Sequence, residues 1–149
     1  MRTAYDYLTK SQQELESDYP YVAKDEDCHH VVGQVNVLSY KNVKSKSSDQ
    51  LMAAIAINPV AVAVQADKTV FTHYKDGILN ALRCGSDLNH DVTAVGYGRK
   101  GLQQYYIVRN SWGAEWGEDG YIRIAAGGIT AHGKGICGIQ MDSSYPATN

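Results

Sequence analysis

The chain has 149 residues, of which 44% are hydrophobic, and its formal net charge is -2. This length is sufficient for one globular domain with a buried core. The near-neutral charge gives no electrostatic basis for binding nucleic acid or an anionic membrane. The longest apolar run, Ala53 to Val64, is broken by Asn58 and Pro59 and therefore predicts no membrane span.

The N-terminal part of the chain carries weak structural signals. Thr3 to Gln13 has a helical apolar pattern and predicts a short helix. Met1 to Tyr21 is polar overall and lacks the apolar stretch of a secretory signal. Val31 to Tyr40 alternates between two faces, with valines on both, and predicts one or two strands.

The next segment predicts a helix followed by a buried strand. Ser47 and Gln50 have the spacing of a capping box, which marks a helix start. The predicted apolar face of this helix consists of Leu51, Ala54, Ile55 and Ile57. Asn58-Pro59 ends the helix, because proline cannot continue it. Val60 to Val64 is short, apolar on both faces and rich in valine, as is typical of a buried strand.

Two further strands form a predicted hairpin. The first, Asn89 to Gly98, has a histidine, His90, near its start, and the second, Gln104 to Arg109, ends at Asn110. The turn between them is expected on Gly98, Lys100 and Gly101. Such a hairpin brings an imidazole within reach of a carboxamide. The carboxamide oxygen can then fix the tautomer of the ring and leave its other nitrogen for a nucleophile.

The motifs around this hairpin are specific. His90 precedes a Val-x-Ala-Val-Gly-Tyr-Gly strand, and the sequences Asn-Ser-Trp-Gly from Asn110, Trp-Gly from Trp116 and Gly-Tyr-Ile-Arg-Ile from Gly120 follow. Together they resemble the C-terminal half of papain-like cysteine peptidases, over nearly the whole chain. The resemblance implies an α+β fold, mainly the antiparallel β-barrel lobe of that family. It assigns residues 1–40 to a remnant of the helical lobe and a crossover, and residues 41–149 to the barrel lobe.

Within this resemblance, His90 corresponds to the general base and Asn110 to the residue that orients its imidazole. Trp112 corresponds to the indole that shields this hydrogen bond from water, next to the substrate cleft. The family's nucleophile motif, such as Cys-Gly-Ser-Cys-Trp, does not occur in this sequence. The nucleophile half and the amide of the oxyanion hole are expected to lie upstream of residue 1. The chemistry needs no metal and no other cofactor.

The three cysteines are an odd number. The resemblance pairs Cys84 with Cys137 and pairs Cys28 with an upstream cysteine. Cys28 is followed by His29 and His30, but neighbours on a loop form neither a preorganised nucleophile nor a closed metal site.

The resemblance also implies a pocket for the second residue before the scissile bond. Its walls are expected to be Ala63, Leu88, Asp91 and Asp142. Asp142 corresponds to a position where an acidic residue in some members admits arginine. Asp91 is a departure, because most members have alanine or glycine after the histidine, and it raises the question of whether the parent is a normal peptidase.

Two functions follow from these residues. The first is the C-terminal part of a cysteine endopeptidase that is inactive alone and acts on peptides or proteins. The second is a non-catalytic, peptidase-like module that serves as a structural or binding component of a larger assembly. The missing N-terminal half or another chain is the expected partner. The family resemblance implies a lysosomal, vacuolar or secreted location.

Overall fold

A computed structural model describes residues 1–29, 32–127 and 133–148. The helices are α1 (Arg2–Leu8), α2 (Ser48–Ile55) and α3 (Thr69–Thr72). The strands are β1 (Ser39–Asn42), β2 (Val60–Val64), β3 (Ile78–Leu79), β4 (His90–Lys100), β5 (Gln103–Arg109), β6 (Tyr121–Ala126) and β7 (Ser143–Ala147). Short 3-10 turns occur at Leu82–Cys84 and Ile136–Gly138.

The chain divides into two compact units. The smaller unit comprises Met1–Lys41 and the C-terminal residues from Pro146, and the larger unit is Asn42–Tyr145. The division runs through β1 and β7. It lies near the boundary predicted between residues 40 and 41, although the assignment of these parts to two lobes of a larger protein stays a prediction.

The larger unit is built on one mostly antiparallel sheet. Its strands follow the order β7-β2-β4-β5-β6-β3, and among its described pairings only that of β3 with β6 is parallel. β4 and β5 form the predicted hairpin, with the turn at Gly101 and Leu102, so Gly98 and Lys100 belong to the strand. The pairing slips by one residue between Ala94 and Gly96, as at a β-bulge. The predicted α+β fold with a dominant β lobe is confirmed.

The core of the larger unit includes β2, the strand that the sequence predicted to be apolar on both faces. Val60, Val62 and Val64 are fully buried in β2. The side chain of Ser47 accepts a hydrogen bond from the Gln50 backbone N–H, so the predicted helix cap is present. The buried face of α2 consists of Leu51, Ala54 and Ile55. Ile57 was expected on the same face but is 73% exposed, because it follows the end of the helix.

The smaller unit has little regular structure. Helix α1 ends at Leu8, earlier than the predicted Gln13, which instead forms an isolated bridge with Val35. The prediction of a strand over Val31 to Tyr40 is wrong for most of its length, because only Ser39 and Tyr40 belong to a strand among the residues of this range that the structure describes. Of its valines, Val32 is 85% and Val35 41% exposed, only Val37 is buried among those described, and Val31 lies outside the described residues. An alternating pattern stabilises a strand only when one of its faces is buried.

Candidate active site

The β4–β5 hairpin brings His90 and Asn110 together. Thr93 of β4 pairs with Arg109 of β5, so the start of one strand lies beside the end of the other. His90 Nε2 lies 2.8 Å from Asn110 Oδ1. Asn110 is 8% exposed, and its backbone N–H donates to the Gly120 carbonyl at 2.9 Å, which holds its backbone in place.

The orientation of the Asn110 amide follows from a second donor. The Ser111 backbone N–H points at the same Oδ1 atom, at 2.8 Å. An atom that accepts from a backbone N–H is the carbonyl oxygen of the amide, so the facing His90 Nε2 must carry a proton. In neutral His90 the other ring nitrogen, Nδ1, then has a free lone pair. An imidazole held in this tautomer can accept a proton from a group placed at Nδ1.

Aromatic rings surround the pair. The Trp112 indole is stacked on the His90 ring, with centroids 5.2 Å apart and an interplanar angle of 25°. Phe71, which is fully buried, contacts the His90 ring edge-on at 6.5 Å and the Trp112 ring at 5.6 Å. These rings lower the local dielectric around the His90–Asn110 hydrogen bond, which strengthens it electrostatically.

Phe71 is a site residue that the sequence analysis missed. It lies on α3, far in sequence from the hairpin. Trp116 fixes the position of α3, because its indole N–H donates to the Thr72 carbonyl at 3.1 Å. The ring of Trp116 also lies 5.4 Å from that of Phe71. No local sequence signal pointed to this contact, because it joins segments that are far apart in the chain.

The predicted pocket residues also lie together. Ala63, Leu88, Asp91 and Asp142 line one open depression, with Asn89 and His90 at its side. Ala63 pairs with Asp91 across β2 and β4, and its backbone N–H donates to the Asp142 carbonyl at 3.0 Å. The described lining therefore has two carboxylates and an apolar wall. Trp112 does not line this depression but stacks on His90 beside it.

The disulfide that the resemblance implied within this chain is present, whereas the implied pairing of Cys28 with an upstream cysteine stays a prediction. Cys84 and Cys137 form a disulfide and are both buried. Cys28 is a free, exposed thiol. Within the described ranges, no three His, Cys, Asp or Glu side chains are arranged to hold a metal ion. His30, the last residue of the Cys-His-His run, lies outside the described residues. No helix among the described residues is long and apolar enough to span a membrane.

Comparisons with known proteins identify the family to which the chain with this fold and this imidazole–amide pair belongs. A profile described as "Papain family cysteine protease" matches residues 1–147. The chain therefore belongs to the papain family of cysteine proteases.

Individual relatives agree with this assignment. The chain is 39% identical to cysteine proteinase COT44 of Brassica napus, covering 98% of this chain and 45% of that protein. It is 39% identical to papaya proteinase 4 of Carica papaya, covering 99% of this chain and 42% of that protein. The bromelain protease of Ananas comosus, solved with the E64 inhibitor, superposes with a TM-score of 0.89 at 38% identity, over 98% of this chain and 68% of that one. The chain thus spans less than half the length of these two curated relatives.

Proposed function

We propose that the chain is the C-terminal part of a papain-type cysteine endopeptidase, with His90 as general base and Asn110 as the residue that orients it. The observation that carries this proposal is the 2.8 Å contact between His90 Nε2 and Asn110 Oδ1 under the Trp112 indole. A thiol from outside this chain is the proposed nucleophile. Cys28, an exposed thiol in the smaller unit, has no role in this mechanism.

In the proposed reaction, His90 Nδ1 takes the proton of the incoming thiol, and the imidazolium stabilises the resulting thiolate. The thiolate attacks the scissile carbonyl of a peptide, and the imidazolium then protonates the leaving amine. Water hydrolyses the acyl-enzyme with His90 again acting as base. Asn110 accepts the Nε2–H hydrogen bond throughout and keeps Nδ1 directed at the sulfur, as the third member of such triads does.

The depression beside His90 supports a proposal about the substrate. We infer that Ala63 and Leu88 contact the second residue before the scissile bond and that Asp91 and Asp142 favour a basic side chain there. A guanidinium can form a charge-assisted, bidentate hydrogen bond with a carboxylate. Such a contact contributes about 1–3 kcal/mol relative to an apolar competitor when it is partly desolvated. The preference for arginine over leucine should fall when Asp142 is replaced by Asn.

Asp91 favours a second candidate, a non-catalytic module that binds peptides or a partner through the same depression. A carboxylate directly after His90 adds negative charge beside the site in which a thiolate must form. In that case the complete protein would bind peptides without cleaving them. The disulfide between Cys84 and Cys137 supports an oxidising compartment for either candidate, as the expected lysosomal, vacuolar or secreted location requires.

A reconstitution experiment separates the two candidates. The chain alone, with reductant at mildly acidic pH, should not hydrolyse dipeptidyl-coumarin substrates, because the nucleophile supplies most of the rate enhancement in such units. Fusion behind an N-terminal half that carries the nucleophile motif Cys-Gly-Ser-Cys-Trp should give hydrolysis that is lost in His90→Ala. Restored hydrolysis only after Asp91→Ala would support the non-catalytic module. Turnover by the unfused chain, with Cys28 covalently labelled by a thiol-directed epoxide, would contradict the proposed mechanism.

A further inference from the structure

One loop connects the disulfide to the candidate active site. It runs from Cys84, which is bonded to Cys137, through Leu88 to His90 at the start of β4. Leu88 forms a wall of the depression and packs so closely on the Gly138 backbone that a Cβ there would lie 2.7 Å from Leu88 Cδ2. Small movements of this loop would therefore displace the pocket wall.

A buried glutamine from another segment, Gln65, packs against this loop. It directly follows β2, whose last residue, Val64, pairs with His90. Gln65 is only 2% exposed, although glutamine is usually found at the surface. Its backbone N–H donates to the Cys137 carbonyl at 2.8 Å, which ties it to the other end of the disulfide.

The side chain of Gln65 makes two hydrogen bonds within this region. Oε1 accepts from the Asp87 backbone N–H at 2.7 Å, and Nε2 donates to Asp67 Oδ1 at 2.8 Å. The hydrogen bond from Gln65 also holds the pKa of Asp67 below its ordinary value. The acceptor and the donor of the amide are thus both occupied, which fixes its rotamer and its O/N assignment.

The loop has a backbone that fits this amide. Gly85 has a φ of +80°, and a Cβ at this position would collide with Gln65 Oε1. Glycine is therefore required at this position for two reasons, the left-handed backbone and the close approach of a side chain. The Asp87 N–H joins the middle of the loop to Gln65, whereas the disulfide holds the first residue of the loop and the Asn89 N–H joins its end to the Val64 carbonyl at 3.0 Å.

On this basis we propose that Gln65 is a positioning residue for the substrate pocket: its side-chain oxygen holds the Asp87 amide and thereby sets the position of Leu88 beside His90. The expected effect on kinetics rests on the proposed peptidase function. The hydrogen bond by which Gln65 holds the loop does not, because both of its partners belong to this chain. Gln65 touches neither the reacting atoms nor the depression. It acts on substrate binding through the loop.

Two substitutions separate positioning from general stability. Gln65→Leu keeps the approximate size of the side chain but removes both hydrogen bonds. Gln65→Glu keeps the oxygen that accepts from Asp87, but its charge lies beside the Asp67 carboxylate and should also lower stability. Tyr106→Phe serves as the control, because it removes a different buried hydrogen bond of the same unit, the one between Gln140 Nε2 and the Tyr106 hydroxyl.

The first measurement is amide hydrogen exchange at Asp87 in the 149-residue chain. We expect Gln65→Leu to speed this exchange about tenfold, as the loss of one net hydrogen bond predicts. Gln65→Glu and Tyr106→Phe should leave Asp87 protected even though both lower the melting temperature. Unchanged exchange at Asp87 in Gln65→Leu would overturn the proposal.

The second measurement uses the reconstituted enzyme and dipeptidyl-coumarin substrates. We expect Gln65→Leu to raise KM about fivefold with kcat nearly unchanged, as loss of uniform substrate binding does. The Gln65→Glu variant should have a KM close to the wild-type value. A KM that follows melting temperature across all three variants would overturn the positioning role. A wild-type enzyme without turnover would instead contradict the proposed function, and the exchange result would then decide on Gln65 alone.

Discussion

The two compact units of the chain differ in where their apolar side chains lie. In Asn42–Tyr145, apolar residues from β2, β4, β5 and β6 form one buried cluster closed by the Cys84–Cys137 disulfide. In the described part of the smaller unit, only Gly33 and Val37 are buried. Its large side chains, such as Tyr21 at 84% exposure, remain at the surface. The larger unit therefore contains its own core, whereas the smaller unit does not.

This difference indicates which unit contributes most of the free energy of unfolding. Helix α1 has seven residues, none of them buried, and no side-chain cap. A helix of this length is marginal in water without packing on another element. The Tyr5 and Tyr40 rings stack at 5.4 Å, but one such contact does not replace a core. We expect the free energy of unfolding to depend on the larger unit almost entirely. Both tryptophans, Trp112 and Trp116, lie in that unit, so their fluorescence reports on it.

The largest expected difference concerns the cysteines. The Cys84–Cys137 disulfide closes a loop with a sequence separation of 53 residues. In the chain-entropy account, a loop of this length stabilises the folded state by about 4 kcal/mol. Replacing both cysteines by alanine should lower the free energy of unfolding by about this amount. Chemical denaturation followed by tryptophan fluorescence measures it.

Cys28→Ser provides the matched control from the smaller unit, because Cys28 is free and exposed. Its substitution should leave the unfolding curve unchanged. If Cys28→Ser destabilised the chain as much as loss of the disulfide, the contrast between the two units would not hold.

The contrast between the two units also explains which secondary-structure elements could be predicted from the sequence alone. The cap at Ser47, strand β2 and the β4–β5 hairpin were predicted correctly because each depends on neighbouring residues in a unit that buries its apolar face. The strand expected over Val31 to Tyr40 failed because the same kind of pattern lies in the unit without a core. Local pattern alone does not show whether a face will be covered.

The candidate site shows a similar limit. His90 and Asn110 were predicted as a pair because a hairpin places the ends of its strands together. Phe71 and Gln65 were missed because their contacts depend on packing between segments far apart in sequence. Nothing in the local sequence indicates that Phe71 faces His90 or that the Gln65 side chain reaches Asp87.

A second test compares one core residue with one exposed residue. Ile124 in β6 is fully buried, whereas Leu38 in the smaller unit is 63% exposed. Ile124→Ala should cost about 3 kcal/mol, because it removes buried apolar surface and leaves a cavity. Leu38→Ala should change the stability by less than about 0.5 kcal/mol. Thermal unfolding of both variants would contradict the contrast if their melting temperatures fell equally.

A third test compares one ion pair in each unit. In the larger unit, Glu118 accepts two hydrogen bonds from Arg123, at 2.9 and 2.6 Å, and one from the Gly77 backbone N–H. In the smaller unit, Lys24 and Glu26 form a more exposed pair. Glu118→Gln should cost about 2 kcal/mol at neutral pH, because the charged hydrogen bonds are partly buried. Glu26→Gln should cost less than about 0.5 kcal/mol.

The Glu118 effect should also depend on pH. The hydrogen bonds from Arg123 lower the pKa of Glu118 below its ordinary value. A lowered folded-state pKa means that the stabilisation is fully present above the ordinary glutamate pKa and is lost as the pH falls through the lowered value. The stability difference between wild type and Glu118→Gln should therefore shrink in acid. A difference that stayed constant from neutral to strongly acidic pH would contradict this assignment.

The smallest expected effect concerns the start of α2. The Ser47 hydroxyl accepts from the Gln50 backbone N–H at 3.4 Å, whereas α1 in the smaller unit has Met1 at its N-cap and no side-chain cap hydrogen bond. Ser47→Ala should cost about 1 kcal/mol, because it leaves a helix N–H without its partner. Ser47→Asp should keep nearly the wild-type stability, since aspartate caps as well as serine and its charge favours the helix N-terminus. Ser17→Ala removes an exposed serine hydroxyl from the smaller unit, one that contacts Asp18, and should have no measurable effect. Equal unfolding midpoints for Ser47→Ala and Ser47→Asp, both below wild type, would show that the serine contributes through packing and not through its hydrogen bond to the helix.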